Sequence, residues 1–132
     1  MNVIEDSSFE GCILLDNVKI PSSVTKIGNA AFKDCQALKM LSLSESLESA
    51  GSNSFYNCSS LARVAIPSSM ISISVGAFRK CTSLSSVEVH SSMSSIGDYA
   101  FEGCISLVEI SIPSSTEIKN TSFPRNTKIA KY

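Results

Sequence analysis

Five cysteines, Cys12, Cys35, Cys58, Cys81 and Cys104, follow one another at intervals of 23 residues. A thiol can ligate a metal, form a disulfide or attack an electrophile, and the spacing bears on each. A structural zinc site gathers about four ligands at one point, with short spacings inside each ligand pair. One cysteine per repeat makes a line rather than a tetrahedron. A disulfide between neighbouring repeats would meet the permitted Cα separation, but stacked side chains run parallel instead of converging. The odd count also leaves one cysteine over. A thiol nucleophile needs an electropositive, exposed setting and a nearby base, and the chain has a single histidine, His90. The reading left is a reduced cysteine acting as a small buried hydrophobe, with a thiol count to decide it against the disulfide. No catalytic, metal-ligating or cofactor-binding residue is assigned, and no cofactor is expected.

Each cysteine stands three residues after a phenylalanine: Phe9, Phe32, Phe55, Phe78 and Phe101. A fixed period in this range marks a solenoid, in which one unit cannot bury its apolar face alone and stacking supplies the core. Counting each phenylalanine as zero, position six holds Leu15, Leu38, Leu61, Leu84 and Leu107. Position nine holds Val18, Leu41, Val64, Val87 and Ile110; position eleven holds Ile20, Leu43, Ile66, Val89 and Ile112. Apolar residues two apart share one face of a strand, and the β-branched content favours strand over helix. Pro21, Pro67 and Pro113 then end the strand, because proline cannot donate a ladder hydrogen bond. The Ala-Phe-x-x-Cys piece is too short for a full helix, so a single helical or 3₁₀ turn is expected there. Layers about 4.8 Å apart would join the strands into one continuous parallel sheet.

The run Leu-x-x-Val/Ile-x-Ile-Pro-x-Ser-Val-x-x-Ile-Gly-x-x-Ala-Phe-x-x-Cys resembles the BspA-like, or Treponema-type, leucine-rich repeat over roughly residues 3 to 123. The resemblance implies a curved leucine-rich-repeat solenoid. A parallel β-sheet lies on one side, with short helical or 3₁₀ turns and extended segments on the other. It also implies a place among microbial surface proteins that adhere to host or matrix molecules. The expected organisation is one repeat domain, 1–132, with units near 9–31, 32–54, 55–77, 78–100 and 101–122 and partial units at both ends.

A net charge of −1, with lysine and arginine scattered, disfavours nucleic acid as a partner. No apolar run approaches the roughly 20 residues of a membrane span, and Met1 to Ser8 lack the pattern of a signal peptide. Reduced cysteines suit the cytoplasm, whereas the family resemblance points to the cell surface or secretion. Two sequons begin at Asn57 and Asn120, and a glycan on Asn57 would crowd the cysteine line. Ile4 precedes Phe9 by the same five residues that separate Ile27 from Phe32, so the chain opens inside a repeat. That is expected of a fragment of a longer array, or of an end hidden in an oligomer. At the other end the last unit is one residue short near Thr116, bringing Phe123 forward. Asn126 takes the cysteine position there, and Ile129 and Tyr132 fit the Leu and Val/Ile positions of a degenerate closing repeat.

If positions nine and eleven face the core, eight and ten face outward. These are Asn17 and Lys19, Met40 and Ser42, Arg63 and Ala65, Ser86 and Glu88, then Glu109 and Ser111. His90, in a proline slot, follows Glu88 closely enough for the two to approach. Lys19 and Arg63 come first and Glu88 and Glu109 later, a strip basic at one end and acidic at the other that suits a polar protein partner. Solubility alone also explains mixed charge on a sheet face. Met40 is the apolar anchor candidate. The function expected is a non-catalytic module that binds a protein or glycoprotein through this face, with adhesion the family-implied role. The alternative is a spacer or self-assembling fragment of a longer array that associates end to end.

Overall fold

Each repeat makes one coil of a solenoid with three sides. The computed structural model describes residues 2–132. The strands of the first three coils are β1 (Asn2–Ile4), β2 (Asn17–Lys19), β3 (Val24–Ile27), β4 (Met40–Ser42) and β5 (Ser49–Ala50). The remaining strands are β6 (Arg63–Ala65), β7 (Ser72–Ile73), β8 (Ser86–Glu88), β9 (Ser95–Ile96), β10 (Glu109–Ile112) and β11 (Lys128–Lys131). All pairings are parallel. Strands β2, β4, β6, β8, β10 and β11 form one side, and β1, β3, β5, β7 and β9 a second. The third side is a column of turns holding the phenylalanines and cysteines.

The core follows the repeat. Phe9, Phe32, Phe55, Phe78, Phe101 and Phe123 stack with centroids 5.1–5.5 Å apart and near-parallel rings, a separation set by the coil spacing. Leu38, Leu61, Leu84 and Leu107 are buried beside them. Phe9, in the first coil, is 41% exposed because no coil covers its outer face.

Phe-x-x-Cys closes as a single turn, and no helix is found there. Lys33 and Cys35 N–H groups donate three residues back, to Ala30 and Phe32, but Ala30, Phe32 and Asp34 donate across to Ser52, Ser54 and Tyr56. A 3₁₀ helix directs successive donors along its own chain. Here alternate donors bind the next coil, so the segment is a run of turns. The alternation is made by left-handed residues two before and two after each of the first five phenylalanines. Ser7, Ala30, Asn53, Gly76 and Tyr99 form one column, Gly11, Asp34, Asn57, Lys80 and Gly103 the other, all with φ between 55° and 79°.

The sheet is not continuous either. Backbone pairing joins β2 to β4, β6 to β8 and β10 to β11, and on the second side β1 to β3 to β5 and β7 to β9. Both ladders therefore break between the coil of β4 and β5 and the coil of β6 and β7. Glycine explains the break. A Cβ on Gly28 or Gly51 would stand 2.5 or 2.7 Å from the backbone nitrogen of Asp6 or Asn29, so glycine in that column permits the close approach of these coils. Ser74 fills the column at the break. Its hydroxyl, rather than a backbone N–H, donates to Ala50 O at 2.7 Å.

The closing coil is shorter than the sequence pattern suggests. Ser95 bridges Glu117, so the missing residue falls at Thr116, whose hydroxyl donates to Met93 O at 2.8 Å. Ile129 then pairs with Ile110, six residues after Phe123 instead of nine. Ile129 thus takes the Val/Ile position, not the Leu position, and Tyr132 lies past β11, its hydroxyl donating to Val89 O. Asn126 is exposed and does not replace a cysteine.

Candidate functional site: the outward strand face

The cysteine column has a definite structural task. Cys35, Cys58, Cys81 and Cys104 are fully buried, and each thiol donates to the carbonyl of Phe9, Phe32, Phe55 or Phe78 one coil back, at 3.0–3.3 Å. The five cysteines are free thiols. Burial, with the neighbouring Cys58, pushes the Cys35 thiol up to about 11. The neighbouring thiols of Cys104 and Cys58, followed by burial, hold Cys81 well above its ordinary value. Such thiols stay protonated at neutral pH, the opposite of an activated nucleophile. Among the described residues no three His, Cys, Asp or Glu side chains gather as a metal site.

The outward positions form one exposed surface. Asn17 lies opposite Met40 and Lys19 opposite Ser42; Arg63 lies opposite Ser86 and Ala65 opposite Glu88. Glu109 and Ser111 continue the two columns on β10, facing Lys128 and Ala130. All ten, and His90 beside them, are exposed. Lys128 corrects the expected charge order. The shortened last coil carries it into register with Glu109, so the strip runs basic, acidic, basic. A second correction concerns His90: the described residues form two ion pairs, Arg79–Glu102 and Lys119–Glu117, and Glu88–His90 is not among them. Glu88 points out from β8 while His90 has already left the strand. The carboxylate that responds to His90 is Glu45, held below its ordinary value first by the Ser68 hydroxyl and least by the His90 charge.

The polar side chains of this face are free to bond a partner. Elsewhere some serines clamp coil to coil: the hydroxyls of Ser46, Ser60, Ser92 and Ser106 donate to carbonyls of the preceding coil at 2.6–2.9 Å. By contrast, Asn17, Ser42, Ser86, Ser111, Lys19, Arg63, Glu88 and Glu109 make no side-chain hydrogen bond or ion pair among the described residues. Two shallow grooves cross the face where the ladder is interrupted. One, of about 430 Å³, lies between β4 and β6 beside Met40 and Arg63. The other, of about 420 Å³, lies between β8 and β10 beside Glu88, Glu109 and Tyr132.

Sequence reasoning missed a second decorated surface, on the turn side. Tyr56 lies 5.3 Å from the Lys33 ammonium and 5.7 Å from that of Lys80. The Arg79 guanidinium lies 4.7 Å from the Tyr99 ring and bonds Glu102 at 2.6 Å. These groups partner one another. Asn57, the first sequon residue, donates to Asp34 at 2.9 Å in the same region.

Parallel coils of fixed period, a buried Leu/Phe/Cys wall and short strands on an open face define a leucine-rich-repeat solenoid. Within that class, six copies of the "BspA type Leucine rich repeat region" match residues 2–130, and the chain belongs to this family. Three solved structures are similar. A Treponema pallidum leucine-rich repeat protein shares 29% identity at a TM-score of 0.81, over 97% of this chain and 66% of that one. A leucine-rich cell surface protein of Faecalibacterium prausnitzii A2-165 shares 32% at 0.82, over 91% of this chain and 33% of that one. A leucine-rich repeat protein of Bacteroides ovatus ATCC 8483 shares 25% at 0.71, over 98% and 40%. This chain therefore spans less than two thirds of the length of each. No curated protein matches it. Among the described residues no helix is long and apolar enough to cross a membrane.

Proposed function

We propose that the chain is a non-catalytic binding module of a cell-surface protein, recognising a protein or glycoprotein through the outward face of β2, β4, β6, β8 and β10. Asn17, Lys19, Met40, Ser42, Arg63, Ala65, Ser86, Glu88, His90, Glu109 and Ser111 form the contact surface. The supporting observation is a row of exposed polar side chains on adjacent strands that make no hydrogen bond or ion pair of their own among the described residues. Preformed, rigidly spaced and unpaired polar groups lose little freedom when a partner binds. The Faecalibacterium relative, described as a cell surface protein, supports the location. An array of short random peptides, probed with the wild type and with a variant carrying Lys19→Glu, Met40→Ser, Arg63→Glu, Glu88→Lys and Glu109→Lys, tests the reading. Peptides bound by the wild type are expected to be lost by the variant. Retention of the same peptides, with loss on changing Tyr56 and Tyr99 instead, would move the site to the turn side.

One observation favours a second reading, end-to-end stacking. The first coil leaves Phe9 exposed and Leu15 and Val18 half-buried beside an open groove of about 400 Å³. Concentration-dependent mass in light scattering would support it.

A further inference from the structure

The break in the ladder between β4 and β6 divides the outward face into parts of different chemistry. No backbone hydrogen bond joins residues 39–51 to residues 62–74, whereas the coils on either side are paired. The groove along this seam is lined by Asn17, Lys39, Met40, Leu41, Ala62 and Arg63. Met40 is 66% exposed, a flexible thioether free to repack around a bound side chain. Lys39 and Arg63 flank it, and neither forms an ion pair. Asp16 accepts from the Lys39 and Met40 backbone N–H groups through its own carbonyl. The other groove, at β8 and β10, presents Glu88 and Glu109 instead.

We propose that the seam groove is the anchor subsite of the face, and that it takes an extended acidic peptide segment in which an apolar side chain is flanked by carboxylates. This deepens the proposed binding role and rests on it. The apolar side chain fills the space over Met40 and Ala62, and the carboxylates meet Lys39 and Arg63. Lys19, opposite Ser42 on β2, extends the cationic side. The carboxylates of Glu88 and Glu109 repel the same peptide further along, which fixes its position on the stack.

Fluorescence anisotropy with three labelled peptides tests this: Leu flanked by Glu, Leu flanked by Lys, and Ser flanked by Glu. The first is expected to bind, and to weaken as salt is raised because the charges are exposed. Met40→Ser and Arg63→Glu are each expected to weaken it about tenfold. Lys39→Glu, a change on an exposed side chain, gives the same loss and guards against misfolding of either variant. Equal binding of the Lys-flanked peptide, or of the Ser peptide, overturns the assignment. So does loss of binding on Glu109→Lys with the groove variants unaffected, an outcome that leaves the wider face intact as a binding surface. Displacement of the peptide by a second copy of the chain, seen as a dimer that Met40→Ser abolishes, overturns the occupant named. Preferential binding of a sulfated polysaccharide overturns it equally.

Discussion

The hydroxyl of Ser74 donates to the carbonyl of Ala50 across the one coil boundary where both strand ladders are interrupted, at 2.7 Å. At the equivalent place in other coils the backbone N–H of Gly28, Gly51 or Gly97 makes the bond, to Ile4, Ile27 or Ile73. The Ser74 hydroxyl thus joins those of Ser68 and Ser69, which bond Glu45 and the Leu47 carbonyl, in holding these coils together. Ser74→Ala removes the donor and keeps the Cβ, and is expected to cost about 1–2 kcal/mol in urea unfolding. Ser74→Gly, which permits the closer approach, is expected to cost less than the alanine change.

The column just before each phenylalanine offers an internal comparison. Ser54 is fully buried and its hydroxyl has no partner, while the Ser122 hydroxyl meets the carbonyls of Ile96 and Gly97 at 3.2 and 3.0 Å. Ser54→Ala is therefore expected to be neutral or to stabilise by about 1 kcal/mol, and Ser122→Ala to destabilise by about 1–2 kcal/mol. Denaturant midpoints that moved alike would refute the distinction.

Ala30 and Ala31 are adjacent but conformationally opposed. Ala30 has φ 55°, where a Cβ is strained by about 1–2 kcal/mol, and Ala31 is buried with no such strain. Ala30→Gly should raise the midpoint of thermal unfolding, and Ala31→Gly should lower it.

Phe55 is fully buried and Phe123, in the closing coil, is 8% exposed. Phe55→Ala is expected to cost about 3–5 kcal/mol as a large-to-small core change, and Phe123→Ala less. Equal costs would contradict the stacking register.

The thiols set a pH dependence. Cys35 is raised from 9.0 to about 11, so the folded protein holds this proton more tightly than the unfolded chain. Its contribution to stability is complete below pH 9 and is lost as pH climbs toward 11. Unfolding free energy should fall through this window, and Cys35→Ala should flatten the fall. An unchanged slope would show that the thiol does not titrate there.

Much of this architecture is legible in the sequence because burial enforces one residue type per column. Leu61, Val64 and Ile66 have no freedom to vary toward polar types, and their spacing therefore declares the coil. The left-handed columns carried a signal too, in Gly11, Asp34, Asn53, Asn57, Gly76 and Gly103. Ala30, Lys80 and Tyr99 diluted it, since the hydrogen-bond alternation forces those residues into the same backbone state. The interrupted ladder had a single mark, Ser74 in a glycine column, and its effect depends on an approach distance that composition does not show. Alternation placed the outward residues, but it passed over Lys39 and Ala62, which lie one residue before their strands and complete the groove.

Central to this account is that the outward strands bind and the remaining two sides hold the coils together. Backbone amide shifts recorded while the Leu peptide flanked by Glu is added test it most directly. Changes are expected to concentrate at Asn17–Lys19, Lys39–Ser42 and Ala62–Ala65, with Tyr56, Tyr99 and the turn column unmoved. Changes centred on Tyr56 and Tyr99, with Met40 and Arg63 silent, would contradict it.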